Sequence, residues 1–164
     1  MSTVIKAIQP FEDGWNLKPG IHPYTSNDFI SQFVKDFPES TNRPNVFAGL
    51  VNFLKELDSV LIPHSIWLDG SYLTKKLEPN DIDLVVFYEL EDISGDETRA
   101  NVIQDIIENR SSYYLCDAYF CFAPNPRIDP NTRNYWRGQF GFDRDDQPKG
   151  MILLDQNEIR QIVR

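Results

Sequence analysis

The sequence predicts an α/β (α+β) domain, a small mixed β-sheet flanked by helices and preceded by an N-terminal arm. Three observations carry that expectation. Apolar residues recur at helical spacing over two long stretches, three short apolar runs read as strands, and the two kinds follow one another as helix, strand, strand, helix, strand. A chain of 164 residues suits one such domain, and 41% apolar with 25% charged residues is an ordinary globular composition.

Residues 1–26 are rich in Pro, Gly and Asn, show no period, and read as an extended arm lying on the domain formed by 27–164. Ser26 or Asn27 is the expected cap of a short helix carrying Phe29, Ile30, Phe33 and Val34, which Pro38 stops. A stronger helix over 44–59 presents Val46, Phe47, Leu50, Phe53, Leu54 and Leu57 on one face. Ser65-Ile66-Trp67-Leu68 reads as a buried strand ending in Asp69-Gly70-Ser71. A loop with Lys75, Lys76, Pro79 and Asn80 leads to the clearest strand, 81–88.

Acidic residues 91–97 form a loop or helix start, and 98–109 a helix with Val102, Ile103, Ile106 and Ile107 inward. Residues 113–122 read as a third strand with Asp117 in its middle. Pro124, Pro126 and Pro130 make 123–133 a loop, followed by a polar tail with Tyr135, Trp136, Arg137 and Gly138 and a last strand over 149–154. Tyr135 and Trp136 suit either base stacking or core packing, and Arg137 and Lys149 either flank a nucleotide or stabilise the fold.

Charge narrows the function classes. A formal net charge of -9 leaves no broad basic footprint, which disfavours a grip on long duplex nucleic acid and suits a site that collects divalent cations. The polar start and the lack of a membrane-length apolar run point to a cytoplasmic protein. Cys116 and Cys121, five residues apart in one strand, face opposite ways and read as packing residues. His22 and His64 lack partners at zinc-ligand spacing, and Ser71 lacks the Gly-x-Ser-x-Gly context of a hydrolase nucleophile.

The chemistry concentrates in Gly70-Ser71, nine intervening residues, and Asp81-Ile82-Asp83. Strand alternation turns Asp81 and Asp83 to one side with Cα atoms roughly 6.5–7 Å apart, so both carboxylates reach a shared cation. Two such acids repel each other and are costly to desolvate unless a cation joins them. Asp117, alone in an apolar strand, is the natural third ligand if its strand lies beside theirs. Glycine permits close backbone approach to a phosphate, and Ser71 adds an amide and a hydroxyl. Lys75 or Lys76 is placed to neutralise a leaving pyrophosphate. The bland alternatives are an acidic loop-to-strand boundary for Asp81 and Asp83 and a solvent-facing edge acid for Asp117.

Trp67-Leu68-Asp69-Gly70-Ser71 through Asp81-Ile82-Asp83 resembles the signature of the DNA-polymerase-β-like nucleotidyltransferase superfamily. With Gly20-Ile21-His22, Lys76, Pro79 to Val85, Phe140-Gly141-Phe142-Asp143 and Lys149-Gly150, the stretch over 19–153 also resembles a small, poorly characterised bacterial family within it. The resemblance implies a minimal nucleotidyltransferase fold. It implies two magnesium (or manganese) ions on the motif carboxylates Asp81 and Asp83, with Asp117 added by topology rather than by a fixed motif, and a nucleoside triphosphate donor held by Gly70, Ser71 and Lys76. Members transfer a nucleoside monophosphate to a hydroxyl of a protein side chain, an RNA end or a nucleotide in a short oligonucleotide, releasing pyrophosphate, in settings that include phage defence and toxin–antitoxin pairs. The alternative is a non-catalytic antitoxin or regulatory subunit. An operon-encoded partner protein and a homo-oligomer are compatible with either.

Overall fold

A computed structural model describes residues 5–123 and 130–164. Within the expected arm, Gly20–Pro23 (β1) is already part of the sheet rather than a strap lying over it. Helix Ser26–Ile30 (α1) continues as a wider coil through Ser31–Lys35 and is capped by Thr25, whose hydroxyl accepts from the Asp28 amide, not by Ser26 or Asn27. Then come Asn42–Asp58 (α2), Ser65–Asp69 (β2), Ile82–Glu89 (β3), the short Leu90–Ile93 (α3) and Glu97–Asp105 (α4), which widens through Ile106–Arg110. Cys116–Ala123 (β4), Pro130–Phe140 (α5), Gly150–Asp155 (β5) and Gln156–Val163 (α6) complete the described elements.

The five strands form one mixed sheet in the order β1-β5-β2-β3-β4. β2 runs antiparallel to β3 and β5, while β3–β4 and β1–β5 are parallel pairs. One face carries Ile66, Leu68, Leu84, Val86, Tyr88, Ile152 and Leu154 against Phe29, Phe33, Leu50, Phe53, Leu54, Leu57, Ile103, Ile107 and Ile159 from the helices. The other bears a smaller cluster of Trp67, Val85, Phe87 and Met151, against which Trp136 and Phe140 of α5 pack. Alternation along β3 therefore supplies both clusters from a single strand.

Three further expectations need correction. The third strand begins at Cys116, not 113, because Ser111–Tyr114 is a 3-10 turn and Leu115 is left-handed at φ 58, so Asp117 is the second strand residue rather than a central one. Residues 124–129 of the expected proline loop lie outside the described residues, but 130–133 are helical. Pro130 opens α5, where its missing N–H leaves no intrahelical bond unmade. What reads as a polar tail thus includes a helix with Thr132, Trp136 and Phe140 along its less exposed side. A last helix, α6, follows β5 without having been anticipated. Its cap is Asp155, which accepts from the Glu158 amide, and it buries Ile159 and Ile162. No helix among the described residues is long and apolar enough to cross a membrane.

Candidate active site

Register brings the acids together. Asp69 pairs with Asp83 across β2–β3, and Asp83 with Asp117 across β3–β4. Residues directly opposite on adjacent strands share a face, so the three carboxylates form a row across the sheet on its α5 side. The row grades from buried Asp69 through half-buried Asp83 to exposed Asp117. Asp81, one residue before β3 and two before Asp83, is exposed at the rim. The structure thus gathers all three predicted ligands and adds Asp69, which sequence reasoning had treated only as the end of a strand.

So many acids in a half-buried place resist ionisation. Burial, then the charges of Asp81, Asp117 and Asp69, push the Asp83 carboxyl up to about 6, with Lys149 opposing. Asp117 is raised by burial and by Asp81. Asp69 is raised by burial, with Lys149 pulling it back. Lys149 Nζ lies 3.2 Å from Asp69 Oδ1, an ion pair whose alignment leaves that buried oxygen without a hydrogen bond among the described residues. The phenol of Tyr119, two residues beyond Asp117 on β4, is raised chiefly by the Asp117 charge.

Beside this row stands the Gly70 turn. Gly70 has φ 88, and a Cβ there would meet Asp83 Oδ2 at 2.5 Å, so both backbone and space demand glycine. Ser71–Leu73 is one 3-10 turn, and the Ser71 carbonyl accepts from the Thr74 amide at 3.1 Å and hydroxyl at 2.6 Å. The loop that follows is tied to the core by Arg43 of α2. Its fully buried guanidinium donates to the carbonyls of Phe33 (3.0 Å), Tyr72 (2.8 Å), Thr74 (2.8 Å) and Lys76 (2.6 Å) and stacks over the Phe37 ring. Burial lowers its pKa to about 10, which leaves it charged at neutral pH.

A cleft of about 650 Å³ unites these parts: Gly70, Ser71, Lys76, Asp81, Asp83, Asp117 and Lys149 all line it. Lys75 instead turns away to lie over the Phe11 ring, so of these two lysines only Lys76 lines the cleft. Lys149 lines the cleft and also a neighbouring cavity of about 240 Å³, which Arg137, Phe142 and Met151 line with it; Arg137 does not line the cleft. The outer wall is stitched by the Asn16 amide, which donates to Asp143, and by a bridge between Asn16 and Thr74.

Asp81, Asp83 and Asp117 are hard oxygen donors of the kind magnesium prefers, and their mutual repulsion is the condition a divalent cation relieves. In donor chemistry they fit such an ion, although among the described residues no three acidic, Cys or His side chains are posed as a preformed cage. Sequence reasoning missed Asp69 and Arg43, and it left Lys149 open between flanking a nucleotide and stabilising the fold. An acid closing the apolar run Ile66-Trp67-Leu68 directly before Gly-Ser was the available signal for Asp69; for Arg43, on a helix face, there was none.

No curated protein and no solved structure matches this chain. A family model described as a family of unknown function, DUF6932, matches residues 9–155. Since that match takes in β1 through β5 and the whole carboxylate cleft, the chain belongs to DUF6932.

Proposed function

We propose that this protein is a metal-dependent nucleotidyltransferase that moves a nucleoside monophosphate from a nucleoside triphosphate to a hydroxyl acceptor and releases pyrophosphate. The observation that carries the reading is the meeting, in one cleft, of a carboxylate row on adjacent strands with a glycine-serine turn and two lysines. Two magnesium or manganese ions held by Asp81, Asp83 and Asp117 would neutralise the triphosphate and make the acceptor hydroxyl more acidic. The Gly70-Ser71 turn receives phosphate oxygens through backbone and hydroxyl donors. Lys76 and Lys149 offset the charge of the departing pyrophosphate. Asp117, the most exposed member of the strand-borne row, is the acceptor for the hydroxyl proton.

Incubation with each of the four labelled ribo- and deoxyribonucleoside triphosphates, with magnesium or manganese, tests the reading. Pyrophosphate release is expected with at least one. Asp81→Ala and Asp83→Ala each lower it about a thousandfold, the scale lost when a charge-stabilising catalytic group is removed. Release of no pyrophosphate from any triphosphate rejects the proposal, and activity surviving either substitution rejects the ligand assignment.

A further inference from the structure

A second cavity, about 680 Å³, meets the first at Asn80, Asp81 and Asp117. Its long wall is a run of consecutive residues, 115 to 120, of which 116 to 120 are the start of β4, the last strand in the sheet order. Residues of both parities line it, Asp117 and Tyr119 from one face and Ala118 and Phe120 from the other, so the cavity lies along the strand's outer side rather than over one face. Among the described residues no strand pairs with that side. Trp136 of α5 and the turn at Ser111 and Ser112 close the two flanks.

The open side of an edge strand turns backbone donors and acceptors outward, a template for an added strand. Charge then narrows the occupant. The described lining has the acids Glu108, Asp81 and Asp117 and no Lys or Arg, whereas the first cleft has Lys76, Arg144 and Lys149. A nucleic-acid end brings phosphates that need such cations. An extended polypeptide brings amides for the edge, and basic side chains suit Glu108.

Resting on the nucleotidyltransferase reading, we propose that the acceptor is a Tyr, Ser or Thr hydroxyl on an extended, non-acidic segment of a partner protein, added as a strand beside β4. The first cleft holds the donor, and the added strand delivers its side chain across Asp81 and Asp117. In the transfer, the side-chain oxygen forms a bond to the α-phosphorus and the bond from that phosphorus to the bridging oxygen breaks. Pyrophosphate leaves with the electron pair, and the hydroxyl proton passes to Asp117.

The test uses three heptapeptides with Tyr, Ser or Thr at the centre, Val and Thr beside it, and Lys at both ends. Each is compared with a version N-methylated at alternate amides and with one carrying Glu for Lys; an RNA pentaadenylate is the fourth probe. Transfer of labelled nucleotide to at least one lysine peptide is expected. N-methylation lowers it about tenfold or more, the worth of one or two backbone hydrogen bonds. The glutamate version is a poorer acceptor, Glu108→Gln narrows that difference, and the RNA takes no label. Label on the RNA, equal labelling of the N-methylated peptide, or label confined to the protein's own chain overturns the proposal. Pyrophosphate release with no labelled peptide also overturns it while leaving the nucleotidyltransferase reading intact; absence of pyrophosphate with every triphosphate rejects both.

Discussion

The two faces of the sheet are made from the same strands, yet they do different work. On the helix-covered face, β3 contributes Ile82, Leu84, Val86 and Tyr88, each no more than 1% exposed. On the α5 face the same strand contributes Asp83, Val85, Phe87 and Glu89, an apolar middle with an acid at each end. The first face gains from every buried atom, since apolar burial is additive and non-directional. The second holds like charges side by side, a cost that only specific partners offset. Stability is concentrated on one side of the strands and chemistry on the other, so substitutions one residue apart should behave in opposite ways.

The largest effect on folding belongs to the helix-covered face. Leu54→Ala, at a position with no exposure, is expected to cost ~2–5 kcal/mol by urea unfolding while leaving turnover per folded molecule unchanged. Loss of turnover well beyond the unfolded fraction would show that the faces are not separable.

On the acidic face the most damaging single change is removal of a compensating cation. Lys149→Met strands the Asp69 carboxylate, and a loss of about 2–3 kcal/mol is expected, less than for a fully enclosed pair because Lys149 keeps some solvent. Adding Asp69→Asn should recover most of it. A double-mutant cycle with no coupling would mean that the pair is ornamental.

The smallest effect has the opposite sign. Asp83 carries a folded-state pKa near 6 against an ordinary value of 3.8, so folding favours its protonated form. That contribution is present below about pH 4 and lost as pH rises through about 6. Asp83→Asn is therefore expected to abolish activity and yet raise metal-free stability at pH 8 by about 1–2 kcal/mol, with little change at pH 4. Magnesium should stabilise the unsubstituted protein above pH 6 and do little below pH 4. Melting curves across pH, with and without magnesium, check both; an Asp83→Asn protein less stable at pH 8 would remove the repulsion argument.

Much of this was legible from residue order. The alternation of β3, the apolar stripe of α2 and the Gly70-Ser71 to Asp81-x-Asp83 spacing are local patterns, and each lies where expected to within a residue or two. Other features were hidden for identifiable reasons. Three prolines read as a breaker, though Pro130 starts a helix. Leu115 is a left-handed leucine, a conformation that residue type does not advertise, and it shortens β4 so that Asp117 sits near the strand's beginning. The Arg43 network joins α1, α2 and the lysine loop through backbone carbonyls, which every residue possesses and which leave no trace in composition.

By itself the sequence determined which side chains share a strand face and how far the glycine-serine pair stands from the paired aspartates, because the pleat and the spacing are properties of a few neighbouring residues. Tertiary structure alone decided that β5 enters between β1 and β2, that Asp69 joins the acidic row, and that Lys149 arrives opposite it. Strand order and register are chosen by which whole-molecule arrangement buries the most apolar surface with its backbone hydrogen bonds made, a sum over distant segments that no local window contains.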